Sequence, residues 1–441
     1  MSDYMFMLES HLRPDQNRVL KELQAAAAEA NMNLFITGGA MRDMLGGFPI
    51  QDIDFTVEGN ALKLAKTVAA KSKAAVERVD ENRKVAHLLF PGGVHATIGM
   101  ARQEKYAKPG SKPQVTPATL HDYLRGRDFT INSIALSLNP ASRGLLLDPN
   151  NGAGDLERKE LRAVSNFTLY DDPVRMLRLQ RFRIRLAFAI DQRTKMQYDN
   201  AREAGLENKI SESSLLEELR HIAAEPNAAD VVQALDDEKL LVLFSPILTG
   251  AKINHAGLQK LQKMRQMIPV GTDIELPMLG LFLDALTEKF SPKDKQALAK
   301  SLGLEKADME QWHKIDARAK KLEKELKSAK LQKASLLYQA VSKASGDLIL
   351  YLLLNSKERI VQDRIKNYFG KHLPAAQEVS DRDVTAAKGV EPGTPKFSKA
   401  REEVIWQRLD ARPKKVPPPE ETPAVPPPPA PMFARKYSSR T

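Results

Sequence analysis

The chain has 441 residues, with 67 Lys and Arg against 56 Asp and Glu, a formal net charge of +11 and no cysteine. Without thiols there can be no disulfide scaffold, iron–sulfur site, thiolate zinc site or cysteine nucleophile, and 42% hydrophobic residues exclude a globally disordered chain. The excess of base favours a polyanionic partner such as nucleic acid, although many basic proteins simply have basic surfaces.

In chain order, the first ten residues lack a basic region and a long apolar run, so no secretory leader is expected. The β-rich runs Leu34–Thr37, Ile53–Val57 and Ala86–Phe90 alternate with helical stretches such as Ala61–Ala75, which predicts one α/β or α+β domain as far as about Leu138. After Asp155 no strand pattern is evident, and helical periodicity runs from Pro173 to about Phe369. Ser291 followed by Pro292 is a helix start, an N-cap before proline in the first turn. The charged segment Asp316–Leu336 reads as a helix with a solvated face. The longest apolar run, Leu348–Leu354, is too short to cross a bilayer, so no membrane contact and a cytoplasmic location are expected. Ten prolines between Pro413 and Pro431 predict an extended, disordered tail over 411–441.

Two constellations carry chemistry. In the first, a strand runs into Gly38 and Gly39 and then into a helix bearing Arg42 and Asp43. Two glycines let backbone N–H groups approach an anion at a helix start, and they also suit an ordinary tight turn. Asp52 and Asp54 follow; on a strand, residues two apart face the same side. Two carboxylates so close call for a cation, and hard oxygen ligands suit Mg²⁺ shared with substrate phosphates; an acidic strand end is the other reading.

In the second constellation, Asp172 and Arg175 stand three apart, on one face of a helix. Together they offer an acceptor and a fork of donors, which matches a base edge carrying an amine beside an acceptor, as in cytosine and adenine. The same spacing also makes a plain helix salt bridge. Arg178 and Arg181, with Arg183 and Arg185 nearby, continue the stripe toward RNA phosphates or toward solvent.

These residues resemble the motifs of the class II tRNA nucleotidyltransferases (CCA-adding enzymes) and bacterial poly(A) polymerases. Gly38-Gly39, Arg42-Asp43 and Asp52-x-Asp54 look like motif A, and Gly126-Arg127-Asp128-Phe129-Thr130-Ile131-Asn132 looks like motif B. Leu147–Leu156 resembles the glycine-rich connector, and Asp171-Asp172-x-x-Arg175 resembles motif D. The motifs stand in family order and cover about 33–225. The segment Val379–Pro395 resembles a C-terminal element of the tRNA enzymes and favours them over the poly(A) polymerases.

The resemblance implies an α+β fold: a polymerase-β-like head over 1–140, a base-reading neck over 141–225, a helical body over 226–300 and a tRNA-binding tail over 301–410. It implies template-independent addition of C and/or A to the 3′ end of tRNA from CTP and ATP, with release of pyrophosphate. Asp52 and Asp54 would be catalytic and hold Mg²⁺ in a two-metal mechanism. Gly38, Gly39, Arg42, Arg127, Asp128, Asp172, Arg175 and Arg178 would bind nucleotide, with Arg42 alternatively a structural partner of Asp43. Arg181 and Arg185 would touch RNA. Ala101–Leu124 resembles the family's mobile loop. Thr97 stands where a third acidic residue is usual, Gly126 where the first motif B Arg is usual, and Asp171 where Glu is usual. These departures also motivate a noncatalytic RNA-binding homologue as a further alternative. Oligomeric state is not legible.

Overall fold

A computed structural model of the chain describes residues 4–411, apart from 270, 271, 273, 275, 393 and 395. The proline-rich stretch, except Ala411, lies outside the described residues. The fold is α+β, a mixed sheet with helices followed by a long helical region.

In chain order the first part contains α1 (Tyr4–His11), α2 (Pro14–Glu29), β1 (Asn33–Thr37), α3 (Gly38–Leu45), β2 (Ile53–Glu58), α4 (Ala61–Ser72), β3 (Ala75–Asp80), β4 (Val85–Phe90) and β5 (Val94–Met100). Then come β6 (Arg102–Lys105), β7 (Gln114–Pro117), α5 (Leu120–Arg125), β8 (Ala135–Ser137), β9 (Leu146–Leu147) and α6 (Gly152–Arg158). Among the described residues the main sheet has seven strands in the order β3-β4-β5-β2-β1-β8-β9. Only the β2–β5 pairing in it is parallel. Strand β2 is therefore central. Its Ile53, Phe55 and Val57 are buried in one core with Leu23, Ile36, Leu64 and Ile98. That alternation points the intervening residues, Asp54 among them, to the opposite face of the sheet.

Next come β10 (Glu160–Leu161), α7 (Thr168–Asp171), α8 (Val174–Leu186), β11 (Ala189–Ile190), α9 (Gln192–Glu203) and α10 (Glu212–Ala224). The two-residue strands β10 and β11 pair in parallel in a region expected to be purely helical. They are too short to show any periodicity. Helix α8 is buried almost all round: Met176, Leu179, Phe182 and Leu186 join the core of the head, while Val174 and Leu177 join the core of the helices that follow. It thus forms a wall common to both cores.

Ser291 caps Pro292–Ser301 by accepting from the Asp294 amide at 3.1 Å, as the sequence predicts. The chain divides into two compact units, one of residues 1–332 and 336–373 and one of 333–335 and 374–441; the expected boundaries at 140, 225 and 300 fall within the first. In the second unit, Ser380 starts Asp381–Lys388 with a capping box, Gly389 ends it in the left-handed region, and Lys388 pairs with Glu403 of Phe397–Asp410 at 2.7 Å. Among the described residues no helix is long and apolar enough to cross a membrane.

Candidate active site

Strand β1 ends at Thr37, whose hydroxyl bonds that of Thr56 on β2 at 2.8 Å, so the two strand ends are pinned side by side. The chain then turns through Gly38 at φ +66°, a conformation that glycine adopts without cost. A Cβ on Gly38 would lie 3.3 Å from both Asp54 Oδ2 and Arg127 Nη2, and one on Gly39 would lie 3.4 Å from Asp54 Oδ2. The Gly39 amide donates to Asp54 Oδ2 at 3.3 Å. The glycine pair is therefore packed directly on the carboxylate, and a side chain at either position would crowd it.

Asp52 stands one residue before β2, exposed, whereas Asp54 lies within the strand and is partly covered. Burial, and after it the neighbouring Asp52 carboxylate, lift Asp54 to about 6. Two hard oxygen donors whose like charges repel suit a divalent cation, which would offset both that repulsion and the cost of burial. Among the described residues no group of three or more His, Asp and Glu gathers as a ligand set. Thr97 of β5 pairs in register with Asp54, so the position beside that carboxylate holds a hydroxyl, as its place in the sequence suggests.

Arg127 joins this mouth to a second region. Its Nη1 donates to the Tyr123 hydroxyl at 2.7 Å and its guanidinium lies 5.4 Å from that ring. Beyond it opens a cleft of about 230 Å³ lined by Arg127, Asp128, Asp172, Arg175 and Arg178. Gly38, Gly39, Asp52 and Asp54 are not part of that lining. The expected residues thus form two neighbouring groups with Arg127 between them.

Asp172 and Arg175 do meet, at 3.6 Å, but not as two residues of one helix. Asp172 precedes α8, with Pro173 between them, and proline disfavours a helical conformation in the residue before it. Arg175 Nη1 also donates to the Thr168 carbonyl at 3.3 Å, and its buried Nε has no hydrogen-bond partner among the described residues.

The remaining expected residues belong to a closed ring of polar contacts. Arg42 is buried, bonded to Asp43 (2.7 Å) and to Asn132 Oδ1 (2.9 Å). Asn132 donates to Asp128 (3.1 Å), and Asp128 takes Arg178 at 2.8 Å. Arg178 lies 3.6 Å from Glu218, which pairs with Arg181 at 2.7 Å; Arg181 pairs with Glu225 at 2.8 Å. Arg185 closes the ring, 3.6 Å from Glu225 and 3.3 Å from Asp43. Burial works against the charged form of Asp128, but Arg178 and Arg127 hold its carboxyl well below the usual range.

For Arg42 the ring makes the partnership with Asp43 the observed one. For Arg181 it corrects the expectation of RNA contact. That guanidinium is buried with both faces of its fork occupied, because α8 is covered on that side by α10. Arg185 is likewise engaged, though a quarter exposed.

Sequence reasoning missed Asn132, Glu218 and Glu225, and also Glu104. The Glu104 carboxylate takes Arg102 (2.8 Å), Arg83 (3.2 Å) and the Tyr106 hydroxyl (2.8 Å). Burial opposes its ionisation, yet Arg102 and Arg83 hold it down to about 2. An Arg-x-Glu-x-Tyr alternation on a strand was the available signal.

The main sheet thus brings together a glycine turn at the end of β1 and two acids at the start of β2. Residues 34–162 match the family described as the Poly A polymerase head domain. The chain is 34% identical over 237 residues to the A-adding tRNA nucleotidyltransferase of Aquifex aeolicus, covering 54% of this chain and 28% of that protein. It is 34% identical over 233 residues to the CC-adding tRNA nucleotidyltransferase of Deinococcus radiodurans, covering 52% and 59%. The matches therefore span less than two thirds of these relatives' lengths. Among solved structures it is similar to a tRNA-processing enzyme in an apo form, with a TM-score of 0.51, 25% identity and coverage of 91% and 99%. An apo CCA-adding enzyme shares the fold, with a TM-score of 0.53, 23% identity and coverage of 94% and 96%.

Proposed function

We propose that this chain adds C and/or A residues to the 3′ end of tRNA, using CTP and ATP and releasing pyrophosphate. The carrying observation is the placement of Asp54 against the Gly38-Gly39 turn and beside Asp52, with Arg127 reaching from there to the cleft that holds Asp172 and Arg175. The A-adding and CC-adding relatives support the same reading.

In this reading the RNA 3′-oxygen forms a bond to the α-phosphorus, the bond from that phosphorus to the bridging oxygen breaks so that pyrophosphate leaves, and the hydroxyl proton passes to solvent water. Asp52 and Asp54 would hold the divalent cation, Mg²⁺, which when bound would neutralise charge on the phosphate oxygens and favour the ionised hydroxyl. The Gly38-Gly39 backbone and Arg127 bind the triphosphate. Asp172 and Arg175 read the base edge. Asp128 and Arg178 hold the head side of the cleft to the neck side.

The test is incubation with tRNA lacking its 3′ end, supplying each labelled triphosphate alone and then CTP with ATP. Incorporation of C, A or both, and not of U or G, is expected. No incorporation of any nucleotide in Mg²⁺ would sink the proposal. The Poly A polymerase head match gives one competing outcome, long A tracts on unstructured RNA.

A further inference from the structure

Helix α7 buries Thr168 and Leu169 and exposes Phe167, just before it, and Tyr170, at 65% and 50%. The two aromatics are three residues apart and share a face. Their support is fixed. The Ser165 amide donates to Thr168 Oγ1 (3.0 Å), the Phe167 amide to Ser165 Oγ (3.2 Å), and the Asp171 amide to the Phe167 carbonyl (2.8 Å).

Against the end of α7 sits a tight turn from the loop between β6 and β7. The Gly110 amide donates to the Asp171 carbonyl at 3.1 Å, and the Ser111 amide closes the turn on the Lys108 carbonyl at 3.1 Å. Gly110 has φ +68°, and a Cβ there would lie 2.1 Å from the Lys209 carbonyl oxygen, so the turn is wedged between α7 and Lys209. Lys108, Lys112 and Lys209 are exposed, and none has an ion pair among the described residues. Two presented aromatic rings beside three available cations make a surface suited to stacked bases and their phosphates. Tyr170 directly precedes Asp171 and Asp172, so this surface is continuous along the chain with the base-reading pair.

We propose that Phe167 and Tyr170 form a stacking platform for the single-stranded 3′ end of an RNA, whose phosphates lie against Lys108, Lys112 and Lys209. This rests on the reading that the chain acts on RNA 3′ ends. The charge balance selects RNA over a protein partner, and the unstacked bases of a single strand have the faces that rings can cover.

The experiment titrates the full chain, without triphosphate, into a hairpin RNA with a three-nucleotide 3′ overhang bearing 2-aminopurine at its last position. A blunt hairpin is the control. Fluorescence quenching is expected with the wild type. The double variant Phe167→Ala, Tyr170→Ala should bind the overhang roughly 5- to 150-fold more weakly, the range for losing one stacked base. Its affinity for the blunt hairpin and its melting temperature should be unchanged, since both side chains are exposed. Phe167→Trp should keep the affinity. Lys108→Glu with Lys112→Glu should reduce the slope of log affinity against log salt by about 1.4, near 0.7 for each phosphate on a single strand.

Equal overhang affinity in wild type and double-alanine variant overturns the platform. So does concentration-dependent self-association that the double variant loses while RNA binding is unchanged, which would make the face a protein contact. A chain that incorporates no nucleotide yet quenches the probe through these residues would overturn the proposed function and leave the platform standing.

Discussion

Asp52→Ala or Asp54→Ala is expected to lower nucleotide incorporation by more than about 100-fold, since each removes half of the donor set for the cation. RNA binding should persist, because it draws on other surfaces. Single-turnover incorporation in Mg²⁺, measured beside RNA affinity, checks this; near wild-type turnover by either variant refutes the metal assignment. For the second pair the readout is choice among nucleotides. Asp172→Ala and Arg175→Ala should erode the preference for CTP and ATP over UTP and GTP by roughly 5- to 150-fold, the worth of one bidentate base contact. Triphosphate affinity, proposed to rest on Gly38, Gly39 and Arg127, should change less. Incorporation efficiency for all four triphosphates decides it. If both variants lose activity equally for every base, the 3.6 Å contact is a structural salt bridge and no more.

Among elements, the ring of buried charges ties α3 and the 128–132 segment to α8 and α10. Glu218 is buried and faces Arg181 at 2.7 Å and Arg178 at 3.6 Å. Glu218→Ala would leave two guanidinium groups without their shared carboxylate, and removing one member of a buried pair typically costs about 3–5 kcal/mol. Denaturant unfolding should register a loss of that order, and a change below about 1 kcal/mol would show that water replaces the carboxylate there. On the head side, Glu104 ties β6 to Arg83 and Tyr106. Its folded value of about 2 lies below the ordinary value of roughly 4.3. The unfolded chain binds its proton first, so the stabilisation is complete above the unfolded value and is lost as pH falls toward 2. Glu104→Gln should therefore flatten the acid limb of the stability profile between about pH 4.5 and 2, as followed by thermal melts. A variant limb as steep as the wild type's would assign acid loss to other carboxylates.

For the molecule as a whole, the net charge of +11 and the proposed phosphate contacts predict RNA affinity that falls steeply with salt. Binding from low to high salt should show this for a full tRNA and, more weakly, for a short single strand, since A-form RNA is recognised largely by shape and phosphate. Equal preference for the unstructured strand would shift the reading to poly(A) addition.

The sequence by itself determined the chemical residue types and their order. The glycine pair, Asp52-x-Asp54, Arg127-Asp128 and Asp172-x-x-Arg175 are all local in the chain, and strand and helix periods fix which neighbours within such a segment come close. Thr97 was singled out by the resemblance alone, and the parallel register of β2 and β5 sets it beside Asp54. Proline at 173 was the visible warning that Asp172 stands outside α8. What only the tertiary structure decided is which charges face which. Arg178, Arg181 and Arg185 look alike in sequence, as points on one basic helical stripe. The structure sets each of them against Glu218, Glu225 or Asp43, carboxylates up to 142 residues away. No local period encodes such a partner. It is selected by the desolvation cost of burying a guanidinium, which is met only where packing delivers a carboxylate to it.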